Sequence, residues 1–231
     1  MKRLIAIGGG SLKDKTTLEI DNYIATLAKK RAGEKRAYGL FIGTASHDFM
    51  PYFNSFRKTY TSVFDIKADC LLTVFNDTPE EKVNDKFLKA DFIYIGGGDT
   101  LFMLEKWREK GVLDKIVDAY NRGVIIVGAS AGAVCWFSQM FTDSKSANNG
   151  EDKYHLYSGL NLFNGTACPH YNLRKEEFDS KVKENNILLS YAIEDNSAIE
   201  FIDEEFSKSI TSGGNSYKIT IENGNIVKEK L

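Results

Sequence analysis

Cysteine is scarce in this 231-residue chain, limited to Cys70, Cys135 and Cys168. An odd, scattered set builds no disulfide framework and fits a reducing compartment. With no Cys-x-x-Cys or Cys/His cluster, it offers no zinc site either. Histidine is equally sparse, at His47, His155 and His170. Neither sign of charge dominates, since 30 Lys+Arg against 32 Asp+Glu leave a net charge of -2. Nothing therefore asks for nucleic acid or an anionic membrane as a partner. No apolar run approaches the roughly 20 residues of a membrane span. The opening MKRLIAIGGGSLKDK carries two basic residues like a signal peptide, but its apolar run stops well short of the roughly 7–15 residues an h-region needs. It reads as a first buried strand, and the chain is expected to be cytoplasmic.

Apolar residues make up 42% and charged residues 27% of the sequence, ordinary usage for a globular protein. A chain of this length buries about 70–75% of its unfolded surface, enough for a large core without metal or disulfide help. No repeat, low-complexity stretch or linker divides it, so residues 1–231 are expected to form one domain. The first two-thirds alternates short apolar runs with amphipathic stretches. The runs Arg3–Ile7, Tyr38–Ile42, Cys70–Phe75, Phe92–Ile95 and Val124–Val127 are continuous rather than alternating, which suits strands covered on both faces. Helices are expected over Thr17–Lys30 (Leu18, Tyr23, Ile24 and Leu27 on one face), Glu80–Lys89 and Leu101–Asn121 with a break at Gly111. Thr78 should cap the second of these, with Pro79 at its first position. This pattern predicts an α/β fold with a mostly parallel, doubly wound sheet flanked by helices. In the final third, Lys145–Lys153 reads as an exposed loop and Glu176–Asn186 as a charged helix. Asn223-Gly224 marks a C-terminal β-hairpin with a type I′ turn.

The sharpest chemical signal is Gly128-Ala129-Ser130-Ala131-Gly132, fed by an apolar strand and followed by a helix-compatible run. This is Gly-x-Ser-x-Gly in the strand–turn–helix setting of a nucleophile elbow. The turn is too tight for large flanking side chains, and it pushes the serine out at the carboxyl edge of the sheet. The Ala131 N–H can then donate to an oxyanion. The alternative is a tight turn with a bystander serine. A serine nucleophile needs a base, and His170, in Cys168-Pro169-His170-Tyr171, is the first candidate. His47 is the reserve and is read rather as a substrate-side contact. Two carboxylates could orient the base: Glu194, at the end of the apolar run Ile187–Ile193, and Asp143, soon after the elbow. Glu194 is favoured because a strand end supports a catalytic group rigidly. In Gly96-Gly97-Gly98-Asp99-Thr100 the spacing of a P-loop or dinucleotide fingerprint is missing, so the Gly98 N–H is read as a second oxyanion donor or the glycines as a simple tight turn. Gly8-Gly9-Gly10 is read as mostly structural.

Gly-Gly-Gly-Asp/Asn-Thr, Gly-x-Ser-Ala-Gly-Ala and Pro-His, in that order, resemble the aspartyl dipeptidase (peptidase E) family of serine peptidases, with cyanophycinase a more distant relative. The resemblance covers nearly the whole chain. It implies a class I glutamine-amidotransferase-like α/β sandwich, with the nucleophile on Ser130 and the histidine on His170. The family's Ser-His-Glu triad would take Glu194, an aspartate downstream of the nucleophile keeps Asp143 in view, and Gly98 and Ala131 would form the oxyanion hole. The chain departs from the pattern at Asp99, where the dipeptidases carry Asn, and in a shorter segment after His170. Asp99 and Arg174 are the candidate substrate-binding residues, with Arg174 supplying positive charge for an acidic side chain. The implied activity is acyl-enzyme hydrolysis of small peptides, with N-terminal Asp dipeptides as the candidate substrates, and needs neither metal nor organic cofactor. Three competitors stand beside it. An α/β-hydrolase esterase or amidase would have the order Ser, acid, His. An amidotransferase glutaminase would require a cysteine at the elbow. A catalytically silent binding protein could share the fold. The sequence leaves monomer and homodimer both open.

Overall fold

The computed structural model describes residues 1–75, 78–144 and 154–231. The expected loop at Lys145–Lys153 lies outside them. In chain order the elements are β1 (Arg3–Ile7), α1 (Leu18–Ala32), β2 (Tyr38–Ile42), α2 (Met50–Arg57), β3 (Lys67–Leu71), α3 (Glu80–Lys89), β4 (Phe92–Ile95), α4 (Thr100–Glu109), α5 (Val112–Asn121), β5 (Ile125–Ala129), α6 (Ala131–Val134), β6 (Phe137–Thr142), β7 (His155–Ser158), β8 (Phe163–Pro169), α7 (Tyr171–Glu184), β9 (Leu189–Ile193), β10 (Ser197–Ile202), β11 (Glu205–Thr211), β12 (Ser216–Glu222) and β13 (Asn225–Lys230).

The α/β class holds, and the strands form two sheets. The first has seven strands in the order β11-β10-β1-β5-β4-β2-β3. Its β1, β5, β4, β2 and β3 run parallel, and β10 and β11 close one side antiparallel. β2, β4 and β5 are buried along their whole length, as continuous apolar runs require when both faces are covered. Period-2 alternation sorts the side chains: Ile5 and Ile7 face α1 and α2, whereas Leu4 and Ala6 face the opposite core with Met103, Trp107 and Ile116. The second sheet, β13-β12-β9-β8-β6-β7, comes from the final third. It packs on the first through aromatic contacts, with Phe201 of β10 meeting Phe137, Phe163 and Tyr191 at ring-centroid distances of 5.6, 5.0 and 5.2 Å. α7 covers its outer face through Tyr171, Phe178 and Val182.

Several boundaries depart from the sequence reading for identifiable reasons. β3 begins at Lys67 rather than Cys70, because an edge strand pairs on one side only and its residues stay partly exposed. α3 starts at Glu80, with Pro79 preceding it and no side-chain cap from Thr78. α1 buries Ile20, Ile24, Ala25 and Ala28 together with the charged Asp21, so its inner face is shifted from the one expected. α7 starts at Tyr171, five residues before the charged stretch that suggested it. The helix after the elbow lasts only four residues before β6 begins, which places Asp143 at the end of a strand in the second sheet. The hairpin turn is as expected, with Asn223 and Gly224 at φ 51° and 76° between β12 and β13, the two positive values a type I′ turn needs.

Candidate active site

The elbow follows from close packing. β5 is central in its sheet, between β1 and β4, and the chain must turn from its end into α6 almost without space. A Cβ on Gly128 would lie 1.9 Å from the Gly132 carbonyl oxygen, and one on Gly132 would lie 2.4 Å from that of Ile95. Only glycine fits either place. Between them Ser130 takes φ 52° and ψ -110°, an uncommon conformation for a residue with a side chain, of the kind that costs about 1–3 kcal/mol. Hydrogen bonds at both ends hold it there. Its N–H donates to the Ile7 carbonyl at 2.9 Å, and its own carbonyl accepts from Ala133 N–H at 2.9 Å and Val134 N–H at 3.1 Å.

The strained turn aims Ser130 at His170. The Oγ–Nε2 distance is 2.8 Å, and His170 Nδ1 lies 2.6 Å from Asp195 Oδ1. A carboxylate accepts only, so Nδ1 carries the proton and Nε2 is left to accept from the Ser130 hydroxyl. His170 stands between β8 and α7 in the left-handed region, at φ 52°, with its N–H donating to the Gly8 carbonyl at 3.0 Å. His47 is exposed, with its ring tilted against that of Phe102 at a centroid distance of 4.0 Å. His155 lies on β7 beside Tyr157.

The carboxylate on His170 is Asp195, which corrects the expectation of Glu194 or Asp143. After β9 the adjacent side chains 194 and 195 point apart. Glu194 Oε2 accepts from the N–H and Nδ2 of Asn215 at 2.9 and 3.0 Å, which occupies it away from the imidazole. Asp143 directly follows β6 and its Oδ1 sits 3.6 Å from Arg174 Nη2. The loop that presents Asp195 is pinned residue by residue: Glu194 N–H donates to Asn215 O at 3.0 Å and Asn196 N–H to Gly9 O at 3.1 Å. Asp195 N–H donates to Asn172 Oδ1, and Asn172 Nδ2 donates to Asp195 Oδ2, both at 3.0 Å.

The sequence reading passed over Asp195 and Asn172 and took the first glycine cluster as mostly structural. A Cβ on Gly9 would sit 2.0 Å from Asp195 Oδ1 and 2.4 Å from His170 Nδ1. The backbone of the first loop is thus pressed against the His–Asp pair, while the neighbouring carbonyls of Gly8 and Gly9 anchor the two loops that carry it. The signal available was a glycine run at the end of a central strand, where close backbone approach is the usual cause.

The second glycine cluster lies against Ser130, where a Cβ on Gly97 would come within 3.0 Å of Ser130 Cβ. Gly97 N–H donates to Tyr52 Oη at 3.4 Å. Among the described residues, neither the Gly98 nor the Ala131 N–H has an acceptor. Ala131 directly follows the serine, and Gly98 follows the Gly97 that lies against it. Asp99 is occupied as the N-cap of α4, its Oδ1 accepting from Leu101 and Phe102 N–H at 3.0 and 3.1 Å. Arg174 is 7% exposed, stacked on Tyr154 at 4.6 Å and donating to Phe141 O at 3.4 Å. Arg174 therefore presents no free side chain for substrate, contrary to the expectation, whereas the cap engages only one oxygen of Asp99. Cys135 is buried with its Sγ on Gly132 O at 3.6 Å. Burial pushes its thiol well above the ordinary range, so no thiolate stands in for Ser130. No group of three or more His, Cys, Asp or Glu among the described residues is arranged to hold a metal ion. No described helix is long and apolar enough to cross a membrane.

Ser130, His170 and Asp195 fall in that chain order, whereas an α/β-hydrolase esterase would have the acid before the histidine. The model for peptidase family S51 matches residues 4–209. The uncharacterized peptidase YgaJ of Bacillus subtilis (strain 168) is 28% identical over 240 residues, covering 100% of this chain and 97% of that protein. Peptidase E of Salmonella typhi is 30% identical over 153 residues, 63% of this chain and 64% of its own length. Among solved structures, a peptidase from an acI-B1 Actinobacterium has the same fold, with a TM-score of 0.66 at 16% identity over 100% of this chain and 94% of that one.

Proposed function

Because the chain belongs to peptidase family S51 and is a serine-type peptidase, we propose that it hydrolyses small peptides through a Ser130–His170–Asp195 triad and an acyl-enzyme. The observation that carries this reading is the continuous hydrogen-bonded path from Ser130 Oγ to His170 to Asp195, at 2.8 and 2.6 Å. His170 Nε2 takes the hydroxyl proton as Ser130 Oγ attacks the scissile carbonyl carbon. The carbonyl electron pair moves onto oxygen, where the Gly98 and Ala131 N–H groups stabilise it. Asp195 holds the imidazole in the required tautomer and stabilises the imidazolium. As the C–N bond breaks, His170 gives its proton to the leaving amine. Water, deprotonated by His170, then attacks the ester carbonyl, and His170 returns the proton to Ser130 Oγ as the acyl–oxygen bond breaks and the acid leaves. Every group needed is an amino-acid side chain or backbone amide of this chain.

One observation bears on the substrate. The positive charge expected to select an acidic side chain belongs to Arg174, which is buried and already engaged by Asp143, Tyr154 and the Phe141 carbonyl. We therefore read the substrate as a small peptide without Arg174-directed selection of aspartate. The test is hydrolysis of Asp-Leu, isoaspartyl-Leu, Ala-Leu and Leu-Leu by wild type, Ser130→Ala and His170→Ala. Each single variant should lose about 10⁶-fold in kcat. An active Ser130→Ala removes the mechanism, and cleavage confined to Asp-Leu and abolished by Arg174→Ala removes the substrate reading.

A further inference from the structure

We propose that Asn172 is the positioning residue that makes Asp195, rather than its neighbour Glu194, the partner of His170. The inference rests on the triad reading above and adds a group to which that reading gives no role. Asn172 lies in the first turn of α7, two residues beyond His170, and its side chain is exposed. The carbonyl of His170 accepts the Leu173 and Arg174 N–H groups at 2.8 and 3.2 Å, so the helix turn sets Asn172 at a fixed offset from the imidazole.

The contact is reciprocal. Asn172 Oδ1 accepts the backbone N–H of Asp195, and Asn172 Nδ2 donates to Asp195 Oδ2, each at 3.0 Å. One amide therefore fixes both the main chain and the carboxylate plane. With Oδ2 held, the other oxygen, Oδ1, is directed at His170 Nδ1. An isolated carboxylate on a loop would rotate about χ2, which is a broad torsion. Asp195 is partly exposed, so water would compete for both oxygens. Asn is suited to this task because it presents one acceptor and one donor from the same rigid plane. A carboxylate at 172 would accept from the Asp195 N–H but repel its Oδ2, and Ala would do neither.

The contact also explains the choice between adjacent acids. Glu194 is bound by the amide of Asn215 in a similar two-point fashion, through the N–H and Nδ2. Two asparagines outside the loop thus each hold one of its two neighbouring carboxylates, with opposite consequences: Asn215 draws Glu194 off the imidazole, and Asn172 presents Asp195 to it.

The test compares Asn172→Ala and Asn172→Asp with wild type, using the most rapidly cleaved dipeptide and the rate at which a fluorophosphonate labels Ser130. Loss of hydrogen bonds to a charged group that act through the base should lower kcat about 10- to 100-fold in Asn172→Ala. KM should stay within threefold, and the labelling rate should fall with kcat. Asn172→Asp should be at least as impaired despite its nearly identical shape, whereas a residue that merely packs would tolerate Asp better than Ala. In an Asp195→Ala background, Asn172→Ala should cost no further labelling rate, because the group it acts through is gone. Asn172→Ala with wild-type kcat, or a loss that adds fully in the Asp195→Ala background, overturns the inference. Ser130→Ala, run alongside, separates the two levels: activity in that variant overturns the triad itself, whereas an inactive Ser130→Ala beside a fully active Asn172→Ala overturns the role of Asn172 alone.

Discussion

Replacing Asp195 by Asn should reduce kcat about 10⁴-fold, and replacing Glu194 by Gln should leave it within about threefold. The difference follows from where hydrogens must sit. In Asp195→Asn the shape is kept, but only one of the two terminal atoms can accept. Asn172 Nδ2 donates at the position of Oδ2, so the new amide turns its oxygen there and its NH₂ toward His170 Nδ1. The imidazole must then accept at Nδ1 and carry its proton on Nε2, facing Ser130 Oγ at 2.8 Å, where it no longer serves as a base. Loss of the correct tautomer in a Ser-His-acid triad costs about 10⁴ in kcat, or about 5.5 kcal/mol in the barrier. Glu194→Gln keeps an oxygen to accept from Asn215 and touches no catalytic nitrogen. The assay is steady-state dipeptide hydrolysis, with thermal unfolding run to show both variants folded. A Glu194→Gln variant impaired as deeply as Asp195→Asn would refute the assignment.

Further outcomes follow from the same geometry. Asp143→Asn should leave kcat within about threefold, since its carboxylate meets Arg174 and not His170; initial rates decide it. Gly128→Ala should destabilise the protein by at least about 3 kcal/mol, because its Cβ would lie 1.9 Å from the Gly132 carbonyl oxygen; the denaturant midpoint measures it. Iodoacetamide on the native protein should reach only Cys70 and leave activity intact, since Cys135 and Cys168 are buried with their thiols pushed up; mass spectrometry counts the adducts. Burial pushes the Asp21 carboxyl from 3.8 up to about 6, against hydrogen bonds from Tyr60 and Thr17. The folded state therefore holds that proton more tightly than the unfolded chain, and stability is lost as pH rises from 3.8 through about 6. Asp21→Asn should remove that component, so denaturation at pH 4, 5, 6 and 7 should show the variant gaining on wild type as pH rises.

Much of the fold was legible because the parallel strands are buried on both faces. Arg3–Ile7, Tyr38–Ile42 and Phe92–Ile95 read directly as apolar runs and match β1, β2 and β4. The edge strand β3 was displaced because only one of its sides is paired. The elbow was legible because Gly128 and Gly132 answer a local steric demand that has no other solution. The histidine followed from a list of three. The carboxylate did not follow, because Glu194 and Asp195 are neighbours with the same chemistry on one loop. What separates them is contact with Asn172 and Asn215, which come from distant segments of the chain. Arg174 was misread for a similar reason: its charge is visible in the sequence, but its burial against Tyr154 and Phe141 is not.

The most direct test is to treat the native protein with a fluorophosphonate and map the adduct by peptide mass spectrometry. A single adduct on the peptide carrying Ser130, absent from Ser130→Ala and greatly slowed in His170→Ala, is the result expected of a serine activated by its histidine. An adduct on another residue, or unchanged peptide hydrolysis by protein in which Ser130 is fully modified, would contradict it.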